Sequence, residues 1–195
     1  AEPGKKGHRV DHTVDSCLVF LPMIHGKQLI TVENLAVSIE NQKILHAVQK
    51  LMVENNGSQC GYCTPGIVMS LFGLFKNHSS PSREIIEDAL TGNLCRCTGY
   101  QSILEAAQKT AKETRTDHFS QDENRIIAML KSIISNQATI EIRTAKQYYF
   151  KPFLLTEAHW LRKEYPDAIL VNGSTDVALR QTKKKEVFAG IIDIS

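Results

Sequence analysis

An α+β chain is what the sequence predicts, and three observations predict it. The opening segment is β-like, a run of short amphipathic helices follows with cysteines in the loops between them, and strand–helix–strand texture takes over from about residue 147. The chain has 195 residues and 42% apolar content, enough length for more than one small core.

Residues 1–36 read as β. "HTVDSCLVFLP" and "KQLITV" are rich in β-branched and aromatic residues, and Pro22 and Gly26 break them into short strands. From about residue 41 the period becomes helical. In "NQKILHAVQKLMVENNG", Ile44, Leu45, Val48, Leu51 and Met52 fall on one face, and Asn56-Gly57 supplies a C-terminal stop. Thr64 offers an N-cap and Pro65 a first helical position for "TPGIVMSLFGLFKN". Ser80-Pro81 starts a third helix, "SREIIEDAL", closed by Gly92. "QSILEAAQKTAKET" then places Ile103, Leu104, Ala107 and Ala111 on one stripe. These helices, with cysteines between them, predict a small bundle built around a cysteine site.

Residues 115–121 are polar and read as a linker, after which Ser120 and Glu123 form a capping box for "NRIIAMLKSII". Beyond it, "TEAHWLRKEYPD" reads as a helix, "AILVNG" as a strand, "STDVALRQTKK" as a turn into a helix and "GIIDIS" as a strand. That is a βαβ-like unit.

A net charge of +2 gives no nucleic-acid footprint, and the run Lys183-Lys184-Lys185 reads as a solvated loop. No apolar run approaches the roughly 18 residues of a membrane span, and no signal-peptide pattern opens the chain. The expectation is therefore no nucleic acid, no membrane, and a reducing cytoplasmic location. The chain begins at Ala1 and its last residues read as a buried strand, so a fragment or processed piece is expected.

Four of the five cysteines come as two close pairs, Cys60 and Cys63 in "GSQCGYCTPG" and Cys95 and Cys97 in "GNLCRCTGY". In a reducing compartment such pairs bind metal or do redox chemistry, and a disulfide framework is disfavoured by the odd count. Zinc accepts four thiolates in a closed tetrahedral site, and Cys-x-x-Cys is a common half of one. Cys95 and Cys97 have a single residue between them, so they sit in a turn and not on one helix face. Cys63 directly precedes the proposed helix start, where the positive end of the helix dipole favours a thiolate. A 2Fe–2S cluster also takes four thiolates. On chemistry alone, zinc and iron–sulfur both stay open.

The two motifs, in this order and with 31 residues between Cys63 and Cys95, resemble the helical 2Fe–2S domain of the molybdenum hydroxylases, the family of xanthine dehydrogenase and aldehyde oxidase. The resemblance implies that Cys60, Cys63, Cys95 and Cys97 are cluster ligands. It also implies that Gln59 approaches the pterin of a molybdenum cofactor held on another domain. Without it, Gln59 reads as a loop residue capping a backbone group. Cys17 alone reads as a small buried hydrophobe. The family places a plant-type ferredoxin domain ahead of the helical one, and "VDSCLVFLP" is similar to the segment carrying that domain's fourth ligand, which makes Cys17 a cluster ligand too.

"ILVNGSTDVAL" is the second candidate site. Gly173 allows a tight turn after a strand, and Ser174, Thr175 and Asp176 open a helix whose free N–H groups can receive phosphate oxygens. Alone, such a turn is commonly only structural. Next to the family motifs it resembles the pyrophosphate loop of the FAD domain, which implies cofactor contacts from Leu170, Val171, Asn172, Gly173, Ser174, Thr175, Asp176 and Val177. The family loop often carries glycine where Ser174 and Ala178 stand.

The resemblance therefore divides the chain into the end of a ferredoxin-like β domain (1–36), a helical 2Fe–2S-binding domain (37–116), a linker and helix (117–146), and the start of an α/β FAD-binding domain (147–195). It implies the electron-transfer part of a xanthine dehydrogenase. Electrons would pass from a molybdenum–pterin centre on a large subunit or missing segment through 2Fe–2S clusters to FAD and then NAD, as hypoxanthine or xanthine is hydroxylated. It further implies an oligomer of complete units. An aldehyde oxidase-type hydroxylase is the rival within the family, and a zinc-stabilised helical interaction module the rival outside it.

Overall fold

The computed structural model describes residues 1–4, 7–114, 116–135 and 138–195. Arg115, Asn136 and Gln137, which fall in the expected linker segments, lie outside the described residues. The chain divides into two compact units, one of Ala1–Thr13 with Gln28–Ile127 and the other of Val14–Lys27 with Ala128–Ser195.

The first unit opens with a two-residue antiparallel ribbon, β1 (Glu2–Pro3) on β2 (Arg9–Val10). The strands expected in "HTVDSCLVFLP" and "KQLITV" do not form. Those stretches, whichever unit they join, are coil and single 3-10 turns at Ser16–Leu18, Leu21–Ile24 and Val32–Leu35. β-Propensity expresses a fit to a pleated, half-buried surface, and neither stretch has a neighbouring strand to supply one.

A hairpin of β3 (Val37–Ile39) and β4 (Gln42–Ile44) follows. Its two turn residues, Glu40 and Asn41, have φ of 49° and 65°, the primed turn that suits strand twist. The helical period thus begins later than the sequence suggests, at α1 (Ala47–Glu54). Ile44 and Leu45 belong to the hairpin and its exit and stay exposed, whereas Val48, Leu51 and Met52 are buried as expected. The Asn56-Gly57 stop is realised as a Schellman motif: Asn56 is left-handed, its N–H bonds Val53 O, and the Gly57 N–H bonds Met52 O.

Three further helices complete the bundle: α2 (Thr64–Asn77), α3 (Arg83–Leu90) and α4 (Gln101–Thr110). α3 is capped by Ser82, whose Oγ accepts the Ile85 N–H at 3.3 Å, so it starts one turn edge later than Ser80-Pro81. α1 packs on α2 and α4, and α3 packs on the same two, closing a four-helix arrangement. Its core is set by Val48, Met52, Ile67, Leu71, Phe72, Ile86 and Ile103, each at most 3% exposed. Gly73 sits inside α2 because the chain crosses it: a Cβ there would lie 2.5 Å from Thr13 Cγ2. Asn77 Nδ2 donates to Asp11 O at 3.0 Å one turn later along the same helix.

The stretch expected as a polar linker is tied into this core. Asp117, not Ser120, is the cap, and it starts the single turn α5 (His118–Gln121) before α6 (Glu123–Ile134). Asp117 accepts from Ser120 N at 2.8 Å, Ser120 Oγ at 2.7 Å and Lys76 Nζ at 3.0 Å. His46 joins the group. Its Nδ1 accepts the Val48 N–H at 3.3 Å, so Nε2 carries the proton and donates to Asp117 at 3.3 Å. Phe119 packs edge-on against Phe72 with ring centres 5.5 Å apart. Burial alone would push the Asp117 carboxyl up, but the donors from His46, Ser120 and Lys76 outweigh it and hold it well below the usual range.

The second unit bears out the strand–helix–strand reading. It contains β5 (Ile140–Arg143), β6 (Tyr148–Lys151), α7 (Leu155–Glu164), β7 (Ile169–Val171), α8 (Val177–Thr182) and β8 (Gly190–Asp193). The sheet order is β5-β6-β8-β7; β5 runs antiparallel to β6, and β6, β8 and β7 are parallel. Phe150, Leu161, Ala168 and Ile192 form its core, flanked by Tyr148 and Tyr165. Gly190 is required by close approach: a Cβ would sit 2.0 Å from the Tyr148 ring. Residues 14–27 join this unit, with Phe20 edge-on to Phe188 at 6.4 Å. Among the described residues no helix is long and apolar enough to cross a membrane.

Candidate metal centre

The two cysteine loops lie at one end of the helical bundle, and each is shaped by a left-handed residue. In the first, Gly61 has φ of 84°, and the Ser58 and Thr64 hydroxyls are 2.6 Å apart across the loop base. α2 starts one residue earlier than expected. Cys63 is its N-cap, with the Cys63 carbonyl accepting the Ile67 N–H at 3.1 Å. In the second, Gly99 and Tyr100 both have φ of 66°, which folds the chain back into α4. Asn93 Nδ2 donates to Ser70 Oγ at 2.8 Å and so moors this loop to α2.

The loops bring the four cysteines into two neighbouring pairs, Cys60 with Cys97 and Cys63 with Cys95. Cys95 is buried in the bundle core, Cys63 half-buried, and Cys60 and Cys97 exposed. Within each pair one thiol is lowered and the other raised from its ordinary value. The Tyr62 backbone N–H and the Cys97 thiol lower Cys60, whereas Cys97 is raised chiefly by donating to Cys60. The Thr98 hydroxyl, with the backbone N–H groups of Thr98 and Cys97, lowers Cys95 to about 7. Burial raises Cys63, and the adjoining Cys95 thiol raises it further.

Among the described residues no three His, Cys, Asp or Glu side chains stand around a single metal-ion position. Four thiolates serve either a structural zinc or a 2Fe–2S cluster, which takes two on each of its irons.

Gln59 is exposed at the rim of the first loop and, among the described residues, has no side-chain hydrogen-bond partner, so it caps nothing. Cys17 stands apart from the four: it is exposed, in the turn Ser16–Leu18 of the second unit. It is not the buried strand residue its bland reading expects.

The other candidate loop has the expected form. Leu170 and Val171 end β7, Asn172 and Gly173 turn, and Val177 begins α8, so the loop caps the carboxyl end of a parallel strand, where open α/β sheets bind ligands. Gly173 has φ of 74° with open space where a Cβ would point. Ser174 has φ of 63°, a conformation that favours glycine. Its hydroxyl is turned inward to the Leu18 carbonyl and is unavailable to a phosphate. Asn172, Thr175 and Asp176 are exposed.

Two residues that hydrogen-bond within the second cysteine loop escaped sequence reasoning, Thr98 and Tyr100. Both stand within "CRCTGY", and the signal that could have found them is a hydroxyl placed directly after the second cysteine pair.

The family model described as a 2Fe–2S binding domain matches residues 31–108. Xanthine dehydrogenase of Emericella nidulans is 51% identical over 96 residues, covering 49% of this chain and 7% of that protein. Mouse xanthine dehydrogenase/oxidase is 32% identical over 217 aligned positions, covering 94% of this chain and 16% of that protein. Mouse aldehyde oxidase 2 is 48% identical over 101 residues, covering 52% of this chain and 7% of that protein. The chain thus spans only a small part of the length of these relatives.

Proposed function

Since residues 31–108 are a 2Fe–2S-binding domain of the molybdenum hydroxylases, we propose that the chain is the electron-transfer portion of a xanthine dehydrogenase, carrying electrons from a molybdenum centre to FAD and NAD as hypoxanthine or xanthine is hydroxylated. The observation that carries the redox reading is the pairing of Cys60 with Cys97 and of Cys63 with Cys95 at the end of the bundle. When bound there, a 2Fe–2S cluster supplies one-electron transfer. The chain's own part is to hold it: two thiols on a helix start, two on a moored turn, one of them sealed in the core.

The remaining roles rest on the same reading. Gln59, exposed beside Cys60, faces the pterin of a molybdenum-binding large subunit, where the purine also binds. Cys17 is a ligand of a second cluster whose other ligands lie outside this sequence. Leu170–Val177 is the pyrophosphate loop for FAD, through which NAD is reduced, and its place at the carboxyl end of β7 supports that role. With Ser174 turned inward, the loop's phosphate contacts come from backbone N–H groups and the exposed Thr175. A cytoplasmic location and an oligomer of complete units accompany the proposal.

An aldehyde oxidase-type hydroxylase is the alternative within the family. The test is anaerobic purification of the full chain with iron, acid-labile sulfide, zinc and visible absorption measured together. Iron and sulfide in equal amounts, with charge-transfer bands that bleach on reduction, are expected. A colourless protein containing zinc would defeat the proposal in favour of a structural module.

A further inference from the structure

Cys95, Thr98 and Tyr100 form a closed ring of hydrogen bonds that fixes the direction of each. The Cys95 N–H is donated to the Tyr100 hydroxyl at 2.7 Å. The Tyr100 N–H is donated to Thr98 Oγ1 at 3.2 Å. Thr98 Oγ1 lies 3.3 Å from Cys95 Sγ. A hydroxyl carries one proton, and the oxygen of Thr98 is already occupied as an acceptor on the Tyr100 side. A metal-bound cysteine has no proton to give. The Thr98 proton therefore points at the sulfur. The ring closes where Gly99 and Tyr100 are both left-handed, at φ of 66°, a conformation that tyrosine rarely adopts. The bundle core around Cys95 keeps water from competing for the sulfur.

Resting on the 2Fe–2S reading above, we propose that Thr98, oriented by Tyr100, is the residue that raises the reduction potential of this cluster. Reduction adds negative charge, part of it on the cysteine sulfurs, and a donor aimed at Cys95 Sγ stabilises the reduced state more than the oxidised one. Thr98 acts through Cys95 and is a positioning residue. Tyr100 acts through Thr98 and through the Cys95 backbone.

The test uses the full chain, reconstituted anaerobically with iron and sulfide, and compares it with Thr98→Val, Thr98→Ser and Thr98→Ala. The readouts are iron per chain, the EPR spectrum of the reduced protein, and the midpoint potential from a dye-mediated titration. Thr98→Val keeps the shape and lacks the proton. It is expected to hold the same iron and to shift the reduction equilibrium against the reduced state by several-fold, up to about tenfold, which is ~59 mV for one electron. Thr98→Ser restores the wild-type potential, and Thr98→Ala follows valine if valine fails to fold. An unchanged potential in a fully loaded valine or alanine variant overturns the proposal. So does loss of iron from both variants, which would make Thr98 a purely structural residue. A wild-type chain that takes up no iron and sulfide is a different outcome: it fails the 2Fe–2S reading itself and takes this proposal with it.

Discussion

Replacing Asp117 with alanine tests whether the stretch between α4 and α6 is part of the first unit's core. The carboxylate collects donors from Ser120, Lys76 and His46 with its side chain only 6% exposed. Removing it strips the cap from α5, worth about 1 kcal/mol. It also leaves the Lys76 ammonium, 10% exposed, without its carboxylate, and breaking a buried pair of this kind costs about 3–5 kcal/mol. Lys76 keeps its bond to Ser120 Oγ, so the lower end applies, and with the cap the loss is about 4 kcal/mol in total. A domain's whole stability is about 5–15 kcal/mol, so the loss is large. Urea unfolding with two probes locates it. Far-UV circular dichroism follows the helices, and the fluorescence of Trp160, the single tryptophan, follows the second unit. The helical midpoint is expected to fall while the Trp160 midpoint stays. The sign against pH is also set. The folded carboxyl is depressed, so its contribution is complete above the unfolded value near ~3.9 and is lost as pH falls from there toward the folded value. Asp117→Ala should flatten that acid slope. A loss below about 1 kcal/mol, or an equal shift of both probes, refutes the reasoning.

Three further outcomes are expected. Gly190→Ala forces a methyl into the Tyr148 ring and should destabilise the second unit by about 1–3 kcal/mol, read from the Trp160 transition; an unshifted midpoint would deny the close approach. Gly73→Ala should gain helix propensity, about 1 kcal/mol, yet lower first-unit stability by circular dichroism, because the methyl meets Thr13; net stabilisation would show that residues 11–13 do not pack there. Cys17→Ser should leave iron per reconstituted chain unchanged, whereas Cys95→Ser should abolish stable iron binding; colorimetric iron determination separates the two, and equal losses would contradict the pairing of the four thiols.

Much of the helical bundle was legible because its signals are local. Val48, Leu51 and Met52 repeat at helical spacing, and Asn56-Gly57 can hardly continue a helix, so α1 and its end were readable. The misplaced elements all depend on partners distant in sequence. Ile44 and Leu45 share the helical period but are claimed by a hairpin, because Glu40 and Asn41 adopt a turn that neither residue announces. The Asp117 cap was missed because what marks it, Lys76 and His46, lies 41 and 71 residues away. For the centre, the two Cys motifs point to four thiols, but which thiol adjoins which follows from loop geometry that no spacing announces.

The excursion of residues 14–27 into the second unit has a consequence for how the chain matures on the ribosome. The first unit needs nothing beyond Ile127, so it can close as soon as that residue is free. Val14–Lys27 is made early, yet its partners begin at Ala128, about a hundred residues later. At synthesis rates of about 5–20 residues per second, that is a wait of roughly 5–20 s. Through that interval the segment hangs as a loop from an already folded bundle, with Phe20 lacking Phe188 to pack on. The nascent chain is most open to chaperones and proteases in that window, which can begin to close only as residues from Ala128 onward arrive.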